Sequence, residues 1–177
     1  MVLLAACGKS ADPACVGNVA VVGNTAISTA QYRLLLRYTL AFYERADRTS
    51  RYYHRNICGD PSLHADCVSL RKRLRQRMID QQIVGDYAAQ HNLLPTGADW
   101  NRALAREHQL VQNAGGEQAF ERFLAKLRTS QARFRFIESE QIETDKVSRA
   151  IGYRRFANWL KQREAAARTT LCPLTGA

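Results

Sequence analysis

From Val68 to about Asn92, apolar residues recur at three- and four-residue spacing: Leu70, Leu74, Met78, Ile79, Ile83, Val84 and Tyr87. That period puts them on one stripe of a helix about seven turns long. The other face carries Arg71, Lys72, Arg73, Arg75 and Arg77. A stripe of this length cannot be left in water, so other elements must be laid against it.

The flanking segments are built to do so. Upstream, Val19-Ala20-Val21-Val22 is a β-branched run stopped by the turn signal Gly23-Asn24, with Ile27 beyond; it predicts one minor strand or hairpin. Ser28 then reads as a helix N-cap, and Gln31 completes a capping box. The helix it opens holds Tyr32, Leu35, Leu36, Tyr38, Leu40, Phe42 and Tyr43, apolar on most sides, so it is buried by several partners or left to bind something. From about Ala46 to Asp66 the pattern breaks into polar, aromatic and turn residues.

Downstream, Leu93-Leu94-Pro95 ends the long helix and Thr96 or Asp99 opens the next, with Trp100, Leu104, His108 and Val111 on one stripe. Gly115-Gly116 breaks the chain again. Phe120, Phe123, Leu124 and Leu127 mark a short helix. Thr129-Ser130 cap another, with Phe134, Ile137, Ile142, Val147 and Ile151 inward, and a final helix holds Phe156, Trp159 and Leu160. The sum is five or six helices and one minor strand without internal repeat: an all-α, multi-helix domain. It divides into residues 1–16 as a leader end and linker, 17–168 as the helical body with an excursion at 46–66, and 169–177 as a tail.

Composition allows a packed core: 46% of residues are hydrophobic, with ten Gly and four Pro. Lys and Arg number 26 against 16 acids, a net charge of +10, which favours anionic lipid, nucleic acid or acidic polypeptide as partner. The cations are spread along helices rather than gathered in one run, as on an ordinary solvated surface.

The opening Met1-Val2-Leu3-Leu4-Ala5-Ala6-Cys7-Gly8 is apolar, then small, then cysteine, and Lys9-Ser10-Ala11-Asp12-Pro13 is polar. This resembles the lipobox of bacterial lipoprotein precursors, which implies acylation of Cys7, a shortened signal-peptide end and an extracytoplasmic, lipid-anchored location. With Cys7 acylated, Cys15, Cys58, Cys67 and Cys172 remain, an even number suited to an oxidising compartment. Three pairings are open. The simplest joins Cys58 to Cys67 across the Gly59-Asp60-Pro61 turn and Cys15 to Cys172 across the whole body. The second bridge would stabilise by roughly 4–5 kcal/mol in the chain-entropy model.

The order of elements carries a further resemblance. Val21-Val22-Gly23-Asn24-Thr25-Ala26-Ile27-Ser28 leads into the first helix; Leu74-Arg75-Gln76-Arg77-Met78-Ile79-Asp80-Gln81-Gln82-Ile83 and Tyr87-Ala88-Ala89-Gln90-His91-Asn92-Leu93 follow. A capped helix, the Phe120-Phe123-Leu124 helix and a Thr129-capped helix complete the succession. Over roughly residues 17–151 this resembles the N-terminal chaperone domain of the SurA and trigger-factor-like periplasmic foldases, including the PrsA lipoproteins. Relatives of that kind insert a parvulin prolyl-isomerase domain and then return through a C-terminal segment. Here Lys146-Val147 is followed almost at once by Phe156-Ala157-Asn158-Trp159-Leu160, a phrase similar to that return. No isomerase domain fits between them.

The resemblance implies a holding chaperone for unfolded or newly exported polypeptides, with no enzymatic activity, ATP, metal or other cofactor. A scaffold that holds one specific partner peptide or helix is the alternative. Nucleic acid is disfavoured by the export signal. Apolar surface does the holding, and Tyr32, Leu36, Tyr38, Phe42, Tyr43, Trp100 and Trp159 are the candidate contacts, because aromatic side chains cover varied partners at low entropic cost. Each alone is as easily core; the set is the expectation. A homodimer, with a second copy filling the groove, is the other occupancy. Arg71, Arg73, Arg75 and Arg77 would rim the groove or face an anionic membrane. The rival chemistry is a zinc site, because His54, Cys58, His64 and Cys67 form H-x3-C-x5-H-x2-C. Exported cysteines are more often bridged, and no nucleophile elbow, HExxH or phosphate loop is present. Glu138 and Glu140, two apart on a helix, do not share a face.

Overall fold

The computed structural model describes residues 13–45, 56–126 and 130–174. After a short 3-10 turn at Pro13–Cys15 come β1 (Asn18–Val22), β2 (Thr25–Ser28), α1 (Thr29–Arg45), α2 (His64–Gln90), α3 (Gly97–Ala114), α4 (Glu117–Lys126), α5 (Gln131–Ile151), α6 (Tyr153–Ala166) and β3 (Thr169–Leu171). The architecture is mainly helical, with one small antiparallel sheet of order β2-β1-β3. Among the described residues no helix is long and apolar enough to cross a membrane.

The expected strand or hairpin is a hairpin. Val22 pairs with Thr25 across a two-residue turn whose first residue, Gly23, has φ +58. A left-handed residue at that position suits the twist of the two strands, and glycine takes it without strain. The capping box that opens α1 is formed: Ser28 Oγ accepts from the Gln31 amide at 3.2 Å, and Gln31 Oε1 accepts from the Ser28 amide at 3.2 Å. At α3, Asp99 likewise accepts from the Thr96 amide at 2.8 Å.

Two expectations are corrected. Residues 169–177 are not simply a tail, because Thr169–Leu171 pairs with Val22–Ala20 of β1 and makes the sheet three-stranded. The 46–66 excursion ends early, since α2 begins at His64. Asp60 caps the 3-10 turn at Pro61–Leu63 that feeds α2, accepting from the Ser62 amide at 2.9 Å.

The long stripe of α2 is covered as its length demands. Val19, Val22 and Ile27 of the hairpin, Tyr32, Leu35 and Leu36 of α1, and Leu70, Leu74, Ile79 and Ile83 of α2 share one core. Farther along α2, Val84 and Ala88 pack with Val147 of α5. A separate cluster joins Val111, Phe120, Leu124 and Phe134 on α3, α4 and α5. Polar clamps pin α3 to α5. Glu107, 2% exposed, accepts from Arg135 and Gln131, and Lys146 donates to Asp99 at 2.9 Å and to the Leu94 carbonyl at 2.8 Å. Both bridges of the simplest pairing are formed, Cys15–Cys172 and Cys58–Cys67. Two of the four ligands of the alternative zinc set are therefore tied up as a disulfide.

Candidate functional site

Helix α6 is placed by its N-cap, the residue that precedes it. Gly152, at φ +90, lets the chain reverse after Ile151, so α6 doubles back across α2 and α5. None of its residues is fully buried. It is held through the half-buried Phe156, Trp159 and Leu160, which pack on the α2–α5 seam. An element attached by one apolar edge leaves crevices along both flanks.

Both crevices are present. One, about 310 Å³, lies between α2, α5 and α6 and is lined by Val84, Phe156 and Leu160, with Arg77, Asp80 and Gln141 as polar groups. The other, about 240 Å³, lies between the hairpin, α2 and the end of α6, against Val22, Ile83, Tyr87, Asp86, Arg163 and Ala167. Trp159 connects the two: its ring stacks on Phe156 of the first at 5.6 Å and meets Tyr87 of the second edge-on at 4.9 Å. The Arg163 guanidinium stands 5.9 Å from the centres of both Tyr87 and Trp159, and His91 stacks on Tyr87 at 3.8 Å. Such geometry offers stacking and cation–π contact to any chain laid along α6.

Carboxyls sit in the same seam. Burial lifts Asp80 to about 6; Gln76 opposes this by donating at 2.7 Å, while Glu164 of α6 raises it by hydrogen bond and charge. A third crevice, about 260 Å³, lies between β2, α1, α2 and α5, with Glu140 and Glu143 on its wall. Burial pushes Glu140 up to about 7, against the pull of Arg77 and with the repulsion of Glu143. Glu143 is raised by burial and by Asp86, against the pull of Lys146. It is pressed so close to α2 that a Cβ on Gly85 would stand 3.1 Å from its Oε1.

The seven candidate contacts are not gathered in one place. Tyr32 and Leu36 are corrected to core residues, 0% and 7% exposed, and the Tyr32 hydroxyl donates to the Arg71 carbonyl at 3.2 Å. Tyr38 is half-buried, its ring 5.8 Å from Phe134, beside the α3–α4–α5 cluster. The side chains of Phe42 and Tyr43 lie outside the described residues, as do Cys7 and His54. Trp100 is 40% exposed at the start of α3, remote in sequence and element from Trp159 on α6. Of the four arginines, Arg77 reaches the wall of a crevice, and Arg75 donates to the Cys172 carbonyl at 2.8 Å.

Sequence reasoning missed Tyr87 and Phe156 as partners of Trp159, and Glu140 with Glu143 as a pair. The second had a signal: carboxyls three apart share a helix face, unlike the Glu138–Glu140 spacing. So had Phe156, three residues before Trp159 on one helix, whereas Tyr87 had none, because it lies on another helix 72 residues before Trp159. No protein-family model matches this chain, and no curated protein or solved structure matches it, so its chemistry has to be read from its own residues.

Proposed function

We propose that this protein is an extracytoplasmic, lipid-anchored holding chaperone, a SurA-like helical domain without an isomerase, that captures unfolded or newly exported polypeptides along α6. The observation that carries the reading is the row Phe156–Trp159–Tyr87, left half-open between two crevices and bordered by Arg163 and Arg77. Holding a non-native chain needs reachable apolar and aromatic area on a charged frame, and no acid, base, ATP or metal. Even a few hundred Å² of such area, at about 25 cal/mol per Å², is enough for reversible capture. The return of the C-terminal segment onto the N-terminal hairpin, after a chain passage too short for a parvulin domain, supports the same reading. So do the two disulfides, which suit an oxidising compartment.

Light scattering of several unrelated denatured proteins tests it. Near-stoichiometric amounts of this protein should suppress aggregation of all of them, and catalysed proline isomerisation of a test peptide should be absent. Suppression of none, with capture of a single partner instead, would replace the holdase by a scaffold.

A further inference from the structure

The pole where the two ends of the fold meet presents a surface unlike the crevices beside α6. Arg75 of α2 donates to the carbonyl of Cys172, itself bridged to Cys15, so α2 reaches that bridge through its Arg75 side chain. Three large apolar side chains of this region stand in solvent: Val16 is 74% exposed, Leu171 56% and Val68 37%. Val16 and Leu171 are the chain neighbours of the bridged cysteines. Val68 precedes Arg75 by seven residues, close to two full turns, and so shares its side of α2. Lys72 lies between them and is exposed. From Cys67 to Ile79 the helix carries Arg71, Lys72, Arg73, Arg75 and Arg77 and no acid. Residues 1–12 join the described fold at Pro13, two positions from the bridge.

We propose that this pole is a docking face for a membrane rich in anionic phospholipid, with Val16 and Leu171 entering the headgroup layer and Lys72 meeting lipid phosphate. Charge complementarity selects an anionic partner, and isolated aliphatic side chains among cations suit a headgroup boundary. Nucleic acid would use the cations but gives exposed valine and leucine nothing to stack on. A second copy would bring like charges together. Docking in this way would leave the α6 crevices to clients, and it does not depend on acylation of Cys7.

The Cys7→Ser chain of residues 1–177, with both bridges intact, is floated with phosphatidylglycerol-containing vesicles and with pure phosphatidylcholine vesicles. It should float with the first at low salt and be released as salt rises. Lys72→Ala should weaken partitioning about fivefold, and Val16→Ser with Leu171→Ser about tenfold. Arg122→Ala, at an exposed position on α4, should leave it unchanged, with circular dichroism confirming that every variant is folded. Equal binding to both vesicles, or variants that float like the parent, would overturn the proposal. So would oligonucleotide binding, or a dimer in gel filtration, that is lost with the same substitutions. Aggregation suppression is measured in parallel: its loss would contradict the holding role, whereas its persistence without vesicle binding would contradict docking alone.

Discussion

Glu140 is a partly buried carboxyl on the wall of the crevice between β2, α1, α2 and α5. Its carboxyl is held up to about 7 by burial against α2, and Asp80 to about 6. A carboxyl whose folded pKa is raised favours the folded state while both states are protonated. The unfolded chain ionises first as pH rises, so stability falls between about 4 and 7 and is level above that. Asp99 and Glu107 act in the opposite sense. Asp99 is held low by hydrogen bonds from Lys146 and Thr96, and Glu107 is held low by hydrogen bonding to Arg135. Their contribution is present above the usual carboxylate range and is lost as pH falls through their depressed values. The raised carboxyls thus favour the folded state at mildly acid pH, and the depressed ones withdraw their support only as pH falls below the usual carboxylate range. Glu140→Gln should raise the melting temperature at pH 7.5, by an amount equivalent to about 2 kcal/mol, and change it little at pH 4.5. A calorimetric pH series with no difference between the two pH values would contradict this. Glu107→Ala should cost roughly 1–2 kcal/mol, because it strips Arg135 and Gln131 of a buried charged acceptor, with water reaching Arg135 in part. Denaturant unfolding measures that loss directly.

At the scale of elements, the local signals were legible and the long-range ones were not. Ser28 with Gln31, Thr96 with Asp99, and Gly23-Asn24 each settle a start or a turn within four residues, because the groups that satisfy the backbone are neighbours in the chain. The stripe of α2 was visible for the same reason. Strand β3 carries no such signal: Thr169-Thr170-Leu171 becomes a strand only because β1 and the Cys172 bridge are there to receive it. Tyr32 shows the limit at the site. Its ring and those of Tyr38 and Trp159 look alike in the sequence, yet a hairpin above it and a carbonyl of α2 within reach of its hydroxyl close it off, while Trp159 stays at an edge. The bridge between the ends should matter most of the covalent features. Replacing Cys15 and Cys172 by Ser removes a closure spanning 157 residues and should cost roughly 4–5 kcal/mol, more than the loss of Cys58–Cys67, whose separation is 9. Chemical denaturation of the two double variants should rank them in that order.

For the whole molecule, the division of surface is the functional argument. The hairpin, α1 and the first half of α2 form one packed core tied at the chain ends by sulfur, and the carboxylates of Glu107 and Asp99 pin α3 to α5 beside it. Against this rigid body lies α6, with no buried residue of its own and a crevice along each flank. A frame that keeps its shape while one helix exposes an aromatic edge can take up a greasy segment and release it without unfolding. The net charge of +10 opposes close approach of two such surfaces at low salt. Trp159 reports on this edge directly. In the Trp100→Phe variant it is the single tryptophan, since the chain has two. On titration with a reduced, unfolded protein its emission should shift to shorter wavelength and saturate near one bound polypeptide per chain, as water is displaced from the Phe156–Trp159–Tyr87 row. An emission spectrum that stays fixed while the same client is being held in solution would contradict the placement of the site on α6.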